Sequence, residues 1–488
     1  MLDRDKFKQL PPEIISNILS YIPNCKLDPL LVIDILVPYI LPIFSQKVRL
    51  AAFIRTCDHE CYSIPPCFAS FESLATFIKR FNTYPREIEI EIDVQSLPRT
   101  SSHWYDNYID ILNHAEKLHF RRYYNNYTEI DIPGEFSDKV GDLSLSINTK
   151  DQLPGVLENI PRNISALNIT IVKFREYRLL EFKNLKALRI PECNAEAMKY
   201  FPDTLETFHA LDVYSDGKEF PLDKLTNIKH IDMFVQGSMS NVSTFLNSRK
   251  QLVSLRIGNN LIESIEELNL PLQLRELSIF FSPVLINYFD LKKLKRLRKL
   301  SIHESQFPYG LFNIKENPHI NAFFPKLTYF TYTRLIGVSN FLCFRFPRLS
   351  PEPGYYTIVM DDRVVFPDSL RSLDVAGNFT FENNWKCPEY LRTLILKCVK
   401  FPEDGFNVTL PDNLNTLHLE STNLVNLDDL EFPVSLRSLL LICNNDLNSI
   451  SNTNLNDLPQ LETISIVGNP ERFDKDNLPN KPAIQHKY

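Results

Sequence analysis

A short motif that recurs every 20 to 25 residues constrains the fold of this chain more than any other feature. The motif reads apolar-Pro-x-x-Leu-x-x-Leu-x-Leu, and its clearest copies begin at Phe366, Cys387, Leu410 and Phe432. Weaker copies extend it upstream toward residue 84. Counted on the first leucine-type position, the series runs through Ile164, Leu185, Leu205, Ile228, Leu252, Leu274, Leu297, Leu327, Leu370, Leu391, Leu414, Leu436 and Leu461.

Each copy predicts one short strand. Alternate residues of a strand point to the same side, so the two residues of Leu-x-Leu face one interior. A single copy cannot cover its own apolar side, and neighbouring copies must therefore stack. The step of 43 residues between Leu327 and Leu370 is about twice the usual one, which predicts a degenerate copy near residues 356–358.

The period and the Leu-x-x-Leu-x-Leu pattern resemble those of leucine-rich repeats. That resemblance implies an α/β fold: a leucine-rich-repeat solenoid whose parallel strands form a horseshoe, preceded here by a small helical segment. Repeats of this kind place Asn or Cys soon after the strand, and Asn259, Asn378, Cys443 and Asn469 match. Other copies carry Lys, Phe or Ser there, so we expect turns that differ from coil to coil.

The first 25 residues do not repeat. Residues 7–23 predict an amphipathic helix, because apolar residues recur at helical spacing between a proline pair and Pro23. The segment resembles the opening of the F-box, which reads Leu-Pro-x-Glu followed by paired apolar residues. The residues that this resemblance marks as adaptor contacts are Leu10, Pro11, Glu13, Ile14, Ile18, Leu19 and Ile22.

The F-box resemblance implies a substrate-recognition subunit of an SCF-type, cullin–RING ubiquitin ligase. The helical segment would bind a Skp-family adaptor, and through it the cullin, while the solenoid binds a target protein. The alternative is a protein-interaction scaffold without a link to ubiquitin, in which the helix only caps the first coil.

We therefore predict four segments: an F-box-like helical domain at residues 1–60, a helical junction at 61–83, the solenoid at 84–470 and a tail at 471–488. The start lacks the apolar core of a secretory signal, and the longest apolar stretch is broken by Asp34, Pro38 and Pro42. Nine scattered cysteines do not form a disulfide framework. We expect a cytoplasmic or nuclear chain that spans no membrane, and its Asn-, Ile- and Lys-rich composition suits a fungus.

No residue pattern predicts an enzyme or a cofactor. The sequence contains no phosphate-binding or dinucleotide-binding motif, and it holds only 12 glycines. Cys57, His59 and Cys61, with Cys67 nearby, lack the paired Cys-x-x-Cys spacing of a zinc site, so a polar junction is the preferred interpretation.

Charge argues against a partner made of duplex DNA, because the formal net charge is −7. The one basic run covers residues 292–299. Leu294 and Leu297 within it fall on core positions of the repeat, so the run is interpreted as a solvated outer surface.

The residues that alternate with the strand leucines are expected to line the inner face of the solenoid. Exposed aromatic and apolar residues on such a face are typical of protein contacts rather than small-molecule chemistry. The candidate target-binding residues are Arg189, His209, Asp232, Phe234, Arg256, Ser278, Phe280, His303, Tyr329 and Thr331.

Overall fold

A computed structural model gives the architecture of the chain. It describes residues 11–20, 22, 24, 27–51, 65–93, 108–125, 134–147, 160–170, 179–214, 220–237, 240–259, 261–280, 282, 287–305, 307–334, 357–403, 405–406, 408–428, 430–451, 453–469, 478 and 485–487. The chain divides into two compact units, residues 1–212 and 213–488, and each is described by itself.

The first unit begins with helices and continues as a ladder of strands. The helices are α1 (Pro12–Ser20), α2 (Val37–Gln46), α3 (Phe71–Phe81) and α4 (Ile109–His114), with 3₁₀ turns at Asp28–Val32, Gly134–Lys139 and Ala195–Tyr200. The strands are β1 (Lys47–Ala51), β2 (Cys67–Phe68), β3 (Glu87–Asp93), β4 (Lys117–Asn125), β5 (Val140–Ile147), β6 (Ala166–Thr170), β7 (Ala187–Asn194) and β8 (Thr207–Tyr214).

Helix α3 shows how local sequence sets an element. The Ser70 hydroxyl accepts from the backbone N–H of Ser73 at 3.2 Å, and the Ser73 hydroxyl accepts from the N–H of Ser70 at 3.1 Å. This reciprocal cap satisfies two donors that the first turn would otherwise leave unpaired. Phe77 on the buried face stacks on Phe44 of α2, with ring centroids 4.9 Å apart, and so fixes the helices beside the first strands.

All pairings among β1 to β7 are parallel. Strand β1 lies between β2 and β3, and the order continues through β4, β5 and β6 to β7. The weak copies predicted upstream to residue 84 are therefore strands of the ladder. The ladder also begins earlier than the predicted boundary at residue 84, because β1 pairs along its whole length with β3. Val48 and Leu50 are buried as strand leucines would be, although no full motif precedes them.

The second unit is built from shorter strands and few helices. Its helices are α5 (Ser240–Ser248), α6 (Tyr309–Phe312) and α7 (Ile320–Phe323), with 3₁₀ turns at Ile265–Leu268, Phe289–Lys293 and Asn454–Asp457. The strands are β9 (His230–Gln236), β10 (Ser254–Gly258), β11 (Glu276–Phe280), β12 (Lys299–His303), β13 (Tyr329–Arg334), β14 (Ile358–Met360), β15 (Ser372–Gly377), β16 (Phe379–Phe381), β17 (Thr393–Lys397), β18 (Thr416–Glu420), β19 (Ser438–Ile442), β20 (Thr463–Val467) and β21 (Gln485–Lys487).

The main sheet of the second unit is a parallel ladder in which each coil adds one strand beside the preceding one. From β9 to β13, and on through β15, β17, β18, β19 and β20, the motif leucines stand opposite each other in register. Leu300, Leu373 and Leu394 are fully buried, and each such side chain contributes about 1.5–3 kcal/mol by leaving water. The predicted leucine-rich-repeat solenoid is confirmed. The ladder also extends into the predicted tail, because β21 pairs with β20.

The degenerate copy expected near residues 356–358 does not join this ladder. Strand β13 pairs directly with β15, from Tyr329 opposite Ser372 to Arg334 opposite Gly377. Strand β14 pairs instead with β16 in a separate two-stranded parallel sheet. The prediction was wrong because it rested on chain length alone, and a coil can lengthen without adding a strand to the ladder.

The turns after four of the described strands share a backbone shape although their residue types differ. Glu304, Cys398, Ser421 and Cys443 all have left-handed φ values between 49° and 55°. Their backbone N–H groups donate to a carbonyl of the next strand at 2.7–2.9 Å. This shared bond explains why the type of side chain can vary from coil to coil at this position.

A second turn position carries buried polar side chains. Asn259 donates to the carbonyls of Val235 and Gly237 at 2.8 and 3.0 Å, and Asn469 donates to Leu441 O at 2.7 Å. In the coil directly before that of Asn469 this position is taken by Asn444, which is fully buried, and not by the exposed Cys443 that the sequence suggested. Asn378 instead bonds the hydroxyl of Thr357 at 3.1 Å.

Arg249, directly after α5, is the largest fully buried side chain of the described residues. Its guanidinium donates to the carbonyls of Leu222, at 2.5 Å, and Lys224, and its Nε donates to Phe245 O at 3.2 Å. It also lies 4.5 Å from the centroid of the Phe245 ring. The bonded carbonyls lead into Leu225, whose φ of 57° is costly for a branched side chain. Arg249 therefore holds a strained turn of one coil against the helix of the next.

Replacing Arg249 by Met is expected to lower the free energy of unfolding by about 2–4 kcal/mol, because buried and partly buried carbonyls lose their donors. Urea denaturation followed by circular dichroism measures the change. Lys250→Met, one residue further along and exposed, is the matched control and is expected to change stability by less than about 0.5 kcal/mol. Equal stability of the two variants would show that the Arg249 bonds do not hold the turn.

Candidate interaction surfaces

Alternate residues of the second unit's ladder strands point away from the leucine core, and we call this side the outward strand face. Its central column runs in register through Asp232, Arg256, Ser278, Ser301 and Thr331. Four of these residues were predicted as target contacts. His303, which was also predicted as a target contact, lies one outward position further along its strand. His303 stands opposite Phe280 and Thr333 in the next column, because the leucine pair of its strand is Leu300 and Ile302.

Two of the predicted contact residues, Phe234 and Phe280, are not exposed. They are 2% and 8% exposed, although both belong to the outward strand face. The strand between them carries Gly258 opposite both residues, and the two ring centroids lie 5.9 Å apart across it. A Cβ at Gly258 would lie 2.5 Å from the Phe280 carbonyl oxygen and 2.6 Å from Cδ2 of Phe234. The rings therefore fold over a glycine and form the floor of the surface.

Arg256 links this aromatic floor to the charged column. Its guanidinium pairs with the Asp232 carboxylate at 3.3 Å and lies 4.6 Å from the centroid of the Phe280 ring. Burial, together with the positive charges of Arg256 and Lys299, lowers the pKa of His303 to about 4. The His303 ring is thus neutral at pH 7, with one nitrogen to donate and one to accept a hydrogen bond.

Exposed apolar groups border this region. Tyr329 is 53% exposed and stands opposite Lys299 of the preceding strand. In the last coils the outward strand face carries the half-buried Ile395 and Leu440, and Val467 is exposed. Large apolar side chains thus remain partly in water on a face whose backbone is fixed by the ladder, which favours contact with another protein.

The two remaining target predictions lie in the first unit. Arg189 on β7 is exposed, and His209 on β8 is half-buried. They belong to a different unit from the other eight predicted contacts.

Sequence reasoning missed a network of polar and ionisable side chains that joins neighbouring strands of the first unit. Nζ of Lys47 lies 3.6 Å from the buried Glu89 carboxylate on β3. On β4, Nε2 of His119 lies 3.3 Å from Glu87 and Nδ1 lies 3.0 Å from Asp142. The contact with His119 is the main cause that lowers the pKa of Asp142. The alternation of charged and apolar residues in residues 87–91 was the available signal.

The nearby hydroxyl does not complete a nucleophilic site. Ser165 donates to the other oxygen of Asp142 at 3.2 Å, so the carboxylate lies between the hydroxyl and His119. A nucleophilic triad needs the imidazole between hydroxyl and carboxylate, where it can take the hydroxyl proton. The arrangement is suited to holding the strands together.

The predicted N-terminal helix is confirmed as α1, and its two sides differ. Ile14 and Ile18 are 44% and 39% exposed, and Pro11 and Glu13 are exposed beside them. Ile15 and Leu19 are buried on the side toward α2. The prediction of Leu19 as an adaptor contact is therefore corrected, because its side chain belongs to the core of the unit.

The other N-terminal predictions have mixed outcomes. Ile22 is half-buried, and Leu10 lies outside the described residues. Cys57, His59 and Cys61, which were interpreted as a polar junction and not as a zinc site, also lie outside them. The Cys67 thiol donates to Pro65 O at 3.2 Å. In the part of the chain that the structure describes, no three His, Cys, Asp or Glu side chains are grouped to hold a metal ion. Within the same residues, no helix combines the length and the apolar character that crossing a bilayer requires.

Comparison with known proteins finds similarity of structure only. No family model matches the chain, and no curated protein matches its sequence. An internalin of Listeria monocytogenes is 15% identical, with a TM-score of 0.38 over 65% of this chain and 84% of the internalin. The circular LRR protein CroV588 is 14% identical, with a TM-score of 0.38 over 83% of this chain and 65% of its own. An LRR protein of Leptospira interrogans is 14% identical, with a TM-score of 0.37 over 82% and 95%.

Gly258→Ala is expected to destabilise the second unit by about 1–3 kcal/mol, because the added methyl group overlaps both the Phe280 backbone and the Phe234 ring. Chemical denaturation measures the loss. Ser278→Ala, at an outward position of the adjacent strand, is the control and is expected to stay within about 0.5 kcal/mol of the parent chain. A Gly258→Ala variant as stable as the control would mean that the rings do not close over the glycine.

Proposed function

We propose that this chain is a non-enzymatic protein-interaction scaffold that binds a partner protein on the outward strand face of its second unit. The observation that carries the proposal is the exposed Tyr329 on the same face as Arg256. Tyr and Arg are the residue types that most often dominate binding energy at protein interfaces. The buried Phe280 ring lies against the Arg256 guanidinium and Asp232 pairs with it, so less side-chain freedom remains to be lost on binding.

The exposure of the predicted contact residues supports the proposal for some of them. Arg256 and Tyr329 offer exposed surface, while Ser278 and Thr331 offer half-buried hydroxyls. Phe234 and Phe280 act through the floor that they form. The proposed location of the chain remains the cytoplasm or the nucleus.

The double variant Arg256→Glu, Tyr329→Ala is expected to reduce capture of a bound partner by at least about tenfold, because it removes both anchors. Chemical cross-linking of the purified full chain in cell extract, followed by quantitative mass spectrometry, measures the reduction. The matched control Lys400→Glu, Tyr390→Ala changes exposed residues outside the ladder strands. Capture that survives the first variant, or falls equally with the control, would contradict the proposal.

A second function, substrate recognition for an SCF-type ubiquitin ligase, is favoured by one specific observation. Pro11, Ile14 and Ile18 are exposed at positions i, i+3 and i+7, which lie on one face of a helix. Isoleucines in water at this spacing are typical of a helix that docks into an apolar groove of a partner. We propose that this face binds a Skp-family adaptor while the outward strand face presents the target.

The full chain is expected to bind a purified Skp-family adaptor, and Ile14→Asp, Ile18→Asp is expected to weaken binding by at least about a hundredfold, because two charges would enter an apolar interface. Biolayer interferometry measures the affinity. Ser16→Asp, Asn17→Asp adds the same charge to other exposed positions of α1 and is expected to bind as the parent does. No binding by the folded parent chain would leave the scaffold proposal alone standing.

A further inference from the structure

A cluster of cations lies in the second unit at the edge where strands β10 to β13 begin. Its members, which we call the cationic edge, are Lys250, Arg275, Arg296, Arg298, Lys299 and Lys326. All six are exposed. The adjoining residues Leu274 and Leu297 are fully buried, so Arg275 and Arg298 must point away from the core.

The backbone places the members of the cationic edge on neighbouring coils. The N–H of Arg298 donates to Arg275 O at 2.7 Å, and the N–H of Thr328 donates to Arg298 O at 2.8 Å. Coils joined in this way are about 4.8 Å apart, so the two arginines occupy equivalent positions one strand spacing from each other. The fold thereby places Arg298, from the basic run at residues 292–299, beside Arg275, which lies 23 residues earlier in the sequence.

The charges of the cationic edge are not neutralised by the described residues around them. None of its six side chains forms an ion pair with a described residue. Glu276, the acidic residue within this stretch, stands opposite Lys299 in register, but its carboxylate accepts from the Ser254 hydroxyl at 3.0 Å and forms no ion pair with Lys299. Further along the same edge the arginines are engaged: Arg437 pairs with Glu462 at 3.4 Å, and Arg371 donates to the Asp368 carbonyl at 2.7 Å.

We infer that the cationic edge binds an acidic peptide segment of the partner protein, a run rich in Asp and Glu. The inference rests on the proposed function and names the chemistry of the partner. Like charges held at one strand spacing raise the local potential and favour an extended segment that carries several carboxylates. Tyr329 stands opposite Lys299 and connects the cationic edge to the outward strand face, so one segment can contact both.

The observations favour a peptide over a nucleic acid. Binding of single strands relies on several aromatic rings on which successive bases stack. Tyr329 is the one exposed aromatic residue among the described residues of strands β10 to β13.

The test measures binding of a short fluorescein-labelled polyglutamate peptide to the purified full chain by fluorescence anisotropy. Arg275→Glu, Arg298→Glu is expected to weaken binding by at least about tenfold, because it turns two attractions into repulsions. The control Lys386→Glu, Lys400→Glu makes the same change of net charge at exposed positions elsewhere in the unit. It is expected to stay within about twofold of the parent. Raising the salt from about 50 to about 500 mM is expected to abolish binding by the parent.

Three results would overturn the inference: no binding of the peptide, equal loss in both variants, or tighter binding of an oligothymidine of equal length through the same two arginines. The proposed function is tested separately by the Arg256 and Tyr329 variant. If the partner is captured through Arg256 and Tyr329 while polyglutamate is not bound, the inference about the cationic edge is wrong and the proposed function still stands.

Discussion

Each inner coil of the described ladder depends on the apolar layer that it shares with its two neighbours. Leu277, for example, lies in register between Leu255 and Leu300, and all three are buried. No single coil covers its own leucines, so the favourable free energy of burial exists only in the stack. The same stacking fixes the backbone under the outward strand face, and side chains there are presented on a rigid support. The proposed binding surface is a consequence of how the core is built.

The sequence predicted the ladder well because strand alternation and leucine burial impose the same short spacing on every coil. The prediction failed where the motif was incomplete and where a copy was inferred without the motif. Val48 and Leu50 fill the core without the proline and the first leucine of the motif, so β1 was missed. The copy near residues 356–358 was inferred from chain length, which does not determine whether a coil contributes a strand to the ladder.

The candidate surface was less predictable than the fold, because its form depends on relations between coils. Phe234 and Phe280 occupy outward positions, yet a glycine on the strand between them lets the rings close over it. Nothing in the periodicity of either strand indicates this. The same holds for Glu89 and His119, whose buried polar side chains are matched by residues of neighbouring strands. The motif predicts which residues of a strand point outward. Their exposure to solvent also depends on the side chains of the adjacent strands.

The direct pairing of β13 with β15 has a consequence for how such a chain can change. Arg334 and Ser372 lie on adjacent strands, although 37 residues separate them in sequence. Lengthening a connection between fixed ends costs only about 0.6 kcal/mol for each doubling. Residues can therefore be gained or lost in this connection while the strands on both sides keep their register. The coil is a place where a repetitive protein can acquire new sequence, and with it new specificity, without refolding the rest.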